Sequence, residues 1–323
     1  MFQKINKYLH YLTPTDYVVV VFYIFLTLLN IVFANRVDQW FELIVINFAV
    51  ITVTIFIATA HLKHNTFWRR QIHYWYTAPL ILLTFKELYL MIKPIRQIDF
   101  DFILIKIDRM IFGFDPTVEL MKITTPLLTE FLQIIYATFY FLPMILAISL
   151  YYKKKNIEVD FVIFSTVFGF FFSYIGYILF PAIGPRFHLH DFFATNTELP
   201  GLFLTNFLRE VVNTGESIPA GTLNPMEVVQ RDVFPSGHTM MTAIIMYLSI
   251  KLQSRTKYFL LPVGTLLIFS TVYLRYHYVI DVIAGLACAI LSLIFGYYIF
   301  NWWQRLIHKD LFIYPKRKKR TKD

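Results

Sequence analysis

Charge is what this chain has least of. Asp, Glu, Lys and Arg make up only 16% of its 323 residues, while 57% are hydrophobic and 19% aromatic. A soluble domain carries about 25% charged residues. The deficit therefore argues against a soluble globular domain and for a chain solvated by lipid. A single cysteine, Cys288, excludes an intramolecular disulfide framework. It lies inside an apolar run and says nothing about redox compartment. No Gly/Ser linker, low-complexity tract or clear repeat divides the sequence, which leaves one membrane domain as the economical organisation. No Cys/His/carboxylate set has convincing zinc spacing either. His188 and His190 flank Leu189 without further ligands, so neither a metal site nor a cofactor is expected.

Apolar sequence is abundant, and it comes in runs. A spanning helix needs about 20 mostly apolar residues. The candidates are 17–34, 43–62, 74–92, 129–152, 160–180, 236–252, 257–274 and 278–301. Lys86, Glu87 and Pro79 weaken the third. Adjacent Lys86 and Glu87 face different directions, so snorkelling or a structural place in the bundle is expected rather than a proton relay. The first run is longer than a signal-peptide core and no small-residue cleavage site follows, so it is expected to be retained as a span. The expected fold class is all-α, a polytopic membrane helical bundle of about eight transmembrane helices.

The net charge of +9 comes mostly from the tail, Lys316-Arg317-Lys318-Lys319-Arg320 and Lys322. After a hydrophobic segment such a run marks a cytoplasmic end more simply than a nucleic-acid site, and no nucleic-acid partner is expected. The short connections Lys153–Lys155 and 251–257 are also strongly basic, as cytoplasmic loops are. With an even number of spans both termini then lie in the cytoplasm. Two loop stretches have helical apolar spacing. In 98–112 the stripe is Phe100, Ile103, Leu104, Ile107 and Ile111, which suits a helix lying in the interface. In 202–212 it is Phe203, Leu204, Phe207, Leu208 and Val211, a candidate rim or lid over a lipid entrance.

Three short blocks sit on the extracytoplasmic side of this topology. The first is Phe180-Pro-Ala-Ile-Gly-Pro-Arg186. The second is Phe234-Pro-Ser-Gly-His238, and the third is Arg275-Tyr-His277-Tyr-Val-Ile-Asp281. Polar groups at a membrane boundary are costly enough to be functional by default. His277 and Asp281 are four apart and share a helix face. A carboxylate on one imidazole nitrogen leaves the other free to attack, the logic of an oriented nucleophile. Ser236 and Gly237 open a helix whose N–H groups can receive an anion, with Gly237 allowing close approach. His238, in the first turn, suits a general acid for the leaving oxygen. Arg186 and Arg275 offer forked donors for phosphate oxygens.

These blocks resemble the phosphate-handling motifs of the type 2 phosphatidic acid phosphatase (lipid phosphate phosphatase) superfamily. The Gly-Pro-Arg and Arg-x-His-Tyr-x-x-Asp forms look most like its inositol-phosphorylceramide-synthase-like branch. The resemblance implies that His277 is transiently phosphorylated, that Asp281 orients it and that His238 is the acid. It also implies a six-helix catalytic unit. Two departures stand out. The family's first motif has a lysine where this chain has Leu179. Its third motif has Ser-Arg where this chain has Ser270-Thr271, with Arg275 two residues before His277 instead. The clamp is then rebuilt, from Arg275 and from Arg231.

The organisation expected is N-terminal membrane-anchoring helices over 1–73, a catalytic membrane domain over 74–301 and a basic cytoplasmic tail over 302–323. The function implied is metal-independent transfer of a phosphoryl or phospho-headgroup, of inositol-phosphate type, from a phospholipid donor to a lipid alcohol such as ceramide. Water as acceptor would make it a lipid phosphate phosphatase instead. The location implied is an integral membrane one, plasma or inner membrane if bacterial, with the site extracytoplasmic. A transporter or channel would spread ionisable groups through mid-membrane or show broken, repeated spans. Here they gather at one boundary.

Overall fold

The apolar runs become helices where polar side chains close their ends. In a computed structural model, which describes residues 11–63 and 66–315, Thr13 and Asp16 form a capping box on α1 (Pro14–Val32). The longer helices that follow are α2 (Trp40–Lys63), α3 (Phe67–Trp75), α4 (Thr77–Ile95), α5 (Asp101–Phe112), α6 (Pro126–Ala137) and α7 (Phe141–Tyr152). Then come α8 (Asn156–Leu179), α9 (Thr205–Gly215), α10 (Gly237–Lys251), α11 (Lys257–Tyr273) and α12 (Val279–Leu306). Among the described residues there is no strand. The basic run at 316–323 lies outside the described residues.

Every expected span is occupied by helix, but not every helix is a full span. Among the described residues α1, α2, α8 and α12 are long and apolar enough to cross a membrane. The number rises to five if α6 and α7, bent by 53° at their junction, count as one span. α10 and α11 have 15 and 17 residues. At the helical rise they reach about 22 and 25 Å, short of a hydrocarbon core of about 30 Å. α4 is interrupted by Lys86, Glu87 and Lys93. Length and composition thus support four or five spans where the apolar runs alone suggest eight.

α8 is the central post, with α1, α4, α7, α10 and α12 packed around it. Its Phe171 stacks on Phe22 of α1, ring centroids 4.1 Å apart. At one end of the bundle the two basic turns meet, Lys155 Nζ donating to the Leu252 carbonyl at 3.3 Å. At the other end gather the C-termini of α8 and α11 and the N-termini of α10 and α12, and with them all three motif blocks. Glu87 does not face lipid. It is buried, and its Oε1 accepts from Asn30 Nδ2 at 3.1 Å and from Asn47 Nδ2 at 2.9 Å, tying α4 to α1 and α2.

Removing one of those amides leaves a buried acceptor short of a partner, at a cost of about 1–3 kcal/mol. Asn47→Leu should lower the thermal unfolding temperature in detergent, and should do so much less in a Glu87→Leu background. Equal losses in both backgrounds would show that the pairing contributes nothing to stability.

Candidate active site

Ser236 opens α10, its Oγ accepting from Thr239 N at 3.2 Å. The Ser236 N–H donates to the Asp281 carbonyl at 3.1 Å, which joins the second motif block to the third. A Cβ on Gly237 would come within 2.2 Å of the Tyr177 hydroxyl, so only glycine fits there. One residue on, the His238 ring packs against Tyr136 at 4.7 Å and Phe139 at 4.2 Å. It meets His277 edge-on at 5.7 Å.

The turn that carries His277 is sharp. Arg275 sits in the left-handed region at φ 67°, a costly place for a side chain with a Cβ. That turn lets the N–H groups of both Tyr276 and His277 donate to the Thr271 carbonyl at 3.0 Å. The strongest partner of the His277 ring is not the expected carboxylate. Nδ1 donates to the Val233 carbonyl at 3.0 Å, with Asp281 Oδ2 at 3.5 Å. Asp281 Oδ2 accepts from Tyr278 N at 2.8 Å and so caps α12. Donation from Nδ1 puts the lone pair on Nε2. Burial, and after it the neighbouring His238, hold the His277 pKa well below the usual imidazole range, so the ring is neutral near pH 7.

The arginines divide. Arg186 donates from Nη1 to Asn213 Oδ1 at 2.9 Å and from Nη2 to Glu216. Its guanidinium lies over the Tyr276 ring at 5.2 Å, and that ring stacks on Tyr136 beside His238. Arg186, His238 and His277 are thus brought together. Arg275 is fully buried and pairs through Nη1 with Glu198, while its Nε and Nη2 have no partner among the described residues. Arg231 is turned to Asp99, Nε to Oδ1 at 2.9 Å, and to the Val229 carbonyl at 3.1 Å.

A cavity of about 390 Å³ opens beside His238. Gly237, Tyr177, Asp232, Glu216 and Lys86 line its polar end, and Leu208, Val211 and Val212 of α9 form one wall. His277 does not line it and meets it through His238. Burial first, then the nearby Glu216, push the Asp232 carboxyl well above its usual range; burial also raises Glu216, with Arg186 opposing. Lys86 reaches the loop that follows α9. Its Nζ donates to the Gly215 carbonyl at 2.6 Å and to Ser217 Oγ at 2.9 Å, on the cavity rim. It adds a cation that the motif spacing did not show. Of the expected lid residues, Leu208 and Val211 face the cavity whereas Phe203 and Phe207 are 89% and 62% exposed. Glu130 of α6 anchors that helix, accepting the N–H groups of Leu202, Phe203, Leu204 and Thr205.

The residues most clearly missed by sequence reasoning are on α5. Its protein-facing side is Asp101, Leu104, Ile105 and Asp108, while Ile103 and Ile111 of the apolar stripe are exposed. Asp101 accepts from Ile183 N at 3.0 Å, Gly184 N at 2.8 Å and the Tyr278 hydroxyl at 2.9 Å. Asp108 accepts from Val279 N and Ile280 N, both at 2.8 Å. The available signal was their separation of seven residues, which puts two carboxylates on one helix face. Asp101→Ala orphans three buried donors at about 1–3 kcal/mol each and should lower thermal stability sharply. Asp115→Ala, which breaks the partly exposed pair with Arg109, should lower it little, because solvent screens such a pair. Equal shifts in a melting experiment would contradict the pinning role of α5.

A family model described as the PAP2 superfamily matches residues 103–295. All three motif blocks, α9 and α5 from Ile103 onward fall inside that segment, while α1 to α4 and Asp101 precede it. No curated protein and no solved structure matches the chain. The match covers more than half of the sequence and contains His238, His277, Asp281 and Arg186 in the constellation described above: the chain belongs to the PAP2 superfamily.

Proposed function

We propose that the protein is a membrane phosphotransferase that moves a phosphoryl or phospho-headgroup, of inositol-phosphate type, from a phospholipid to a lipid alcohol through a phosphohistidine. Superfamily membership supports the broader class, phosphatase or phosphotransferase chemistry on lipid phosphates. The observation that carries the finer reading is His238, at the polar end of a largely apolar cavity walled by α9, with the His277 ring behind it at 5.7 Å. In this mechanism His277 Nε2 attacks phosphorus and the bond to the leaving oxygen breaks as His238 protonates it. The acceptor hydroxyl then gives its proton to His238 and displaces His277. Arg186 stabilises the transferring group, exchanging its Glu216 partner for phosphate oxygens, and the unpaired donors of Arg275 add to the field. Ser236 and Gly237 contribute the N-terminus of α10. Val233 and Asp281 together hold the His277 ring. Arg231, engaged with Asp99, supports the loop.

An apolar wall that holds a lipid alcohol and excludes water favours transfer over hydrolysis. The phosphatase reading is favoured by one observation, the charged end formed by Lys86, Glu216 and Asp232, which can hold water. We place α4, the α6–α7 pair, α8, α10, α11 and α12 in a six-helix catalytic unit within a bundle of about eight spans. Its motif end lies outside the cytoplasm, with both termini inside. The meeting of the two basic turns at the opposite end supports that orientation.

His277→Ala should abolish both half-reactions. His238→Ala should lose about 100- to 10,000-fold with a lipid-alkoxide leaving group and far less with an activated phenolate that needs no proton. The acceptor is decided by supplying donor and ceramide together and following new phosphosphingolipid against free phosphate. Release of phosphate with every alcohol ignored would replace the transferase by the phosphatase.

Orientation has its own test. In a Cys288→Ser background, Thr195→Cys should react with an impermeant thiol reagent on intact cells, and Lys154→Cys should not. The reverse pattern inverts the topology.

A further inference from the structure

The catalytic cavity does not end at its apolar wall. A second cavity of about 350 Å³ is lined by Ala78, Ile81, Pro143, Met144, Val162 and their neighbours. The two share Leu82, Tyr140 and Phe170, so they form one groove with α4 and α7 as walls and α8 as floor. Its polarity is graded along its length. Lys86, Glu216, Asp232 and His238 all stand at the first cavity's end, and no charged residue lines the second. Along α8 the groove runs from Tyr177 to Val162, about 22 Å at the helical rise. One leaflet's share of the hydrocarbon core is about 15 Å.

We propose that this groove is a binding site for one long hydrocarbon chain of the phospholipid donor, with the phosphate at His238 and the chain laid between α4 and α7. The proposal rests on the catalytic reading above for the position of the phosphate. Three features carry it: continuity with the catalytic cavity, charge confined to one end, and a length that exceeds a leaflet. The groove also assigns work to the N-terminal helices. α4 supplies Ala78, Ile81, Leu82, Phe85 and Lys86 to it and lies outside the segment matched by the family. Chain selection is therefore shared between α4, which precedes the matched segment, and α7 and α8 within it.

Ala78 on α4 and Met144 on α7 line the second cavity and not the first. In the full-length protein in detergent, Ala78→Trp and, separately, Met144→Trp should reduce kcat/KM for a long-tailed donor tenfold or more. Both should leave turnover of a short-tailed donor with the same headgroup within about twofold, a split that a general folding defect does not give. A loss shared by both donors, or no loss on either, overturns the groove. The second readout needs no turnover: a long-chain alkyl phosphonate with a photoreactive tail end should label 74–82 and 143–147, and Ala78→Trp should remove the label. Label spread over every lipid-facing helix means ordinary bilayer contact and sinks the proposal. Confined labelling without turnover of any lipid phosphate would instead refute the catalytic reading and leave the groove standing.

Discussion

Everything at the site depends on two carboxylates of a helix that performs no chemistry. The three motif blocks come from separate stretches of chain, and their backbone N–H groups would be unsatisfied where they turn into or out of helices. Asp101 collects those of Ile183 and Gly184 and the hydroxyl of Tyr278, while Asp108 collects those of Val279 and Ile280. One rigid element, α5, thereby fixes the first block against the third. The second block is fixed to the third by the bond from Ser236 N to the Asp281 carbonyl. The Val233 carbonyl, held at the start of that same block, sets the His277 tautomer. Placement of the two imidazoles within 5.7 Å follows from these backbone contacts.

The helices were legible because their signal is local. Apolar runs bounded by polar turns placed a helix in each expected segment. They could not say which helices are long enough to span, because α10, α11 and α4 fall short through length or through charge. The His238, His277 and Asp281 constellation was legible because its spacing is within one turn or one motif. What was not legible depends on tertiary partners. A backbone carbonyl such as that of Val233 has no sequence signature, so the orienting role went to Asp281 alone. The partners of Asp101 and Asp108 were not legible, since nothing local shows that backbone donors await them. Lys86 and Glu87 are neighbours in sequence with opposite fates, one at the cavity rim and one buried between two asparagines.

The electrostatics of the cavity follow from how its charges are partnered. A buried guanidinium and a buried carboxylate each carry a desolvation cost that pairing offsets. Arg186 is therefore held by Glu216 and Asn213, and Arg275 by Glu198. An anion that reached Arg186 would compete with Glu216 for its forked donors. The Asp232 carboxyl, raised by burial and by Glu216, adds less negative charge to the site than a free carboxylate would.

Leu179 stands where the superfamily motif that this chain resembles carries a lysine. Lys86, on α4 and outside the matched segment, brings a cation to the rim of the cavity where that helix passes it. A lysine reaching from a neighbouring helix is held by backbone and hydroxyl oxygens, the Gly215 carbonyl and Ser217 Oγ, both beside α9. It therefore couples the charged end of the cavity to the helix that walls it. The same α4 lines the groove further along, so one element outside the family segment contributes to both the charge at the reacting end and the apolar wall behind it. α4 lines the cavity and the groove without holding His238 or His277 in place, because none of the backbone supports of those rings comes from α4.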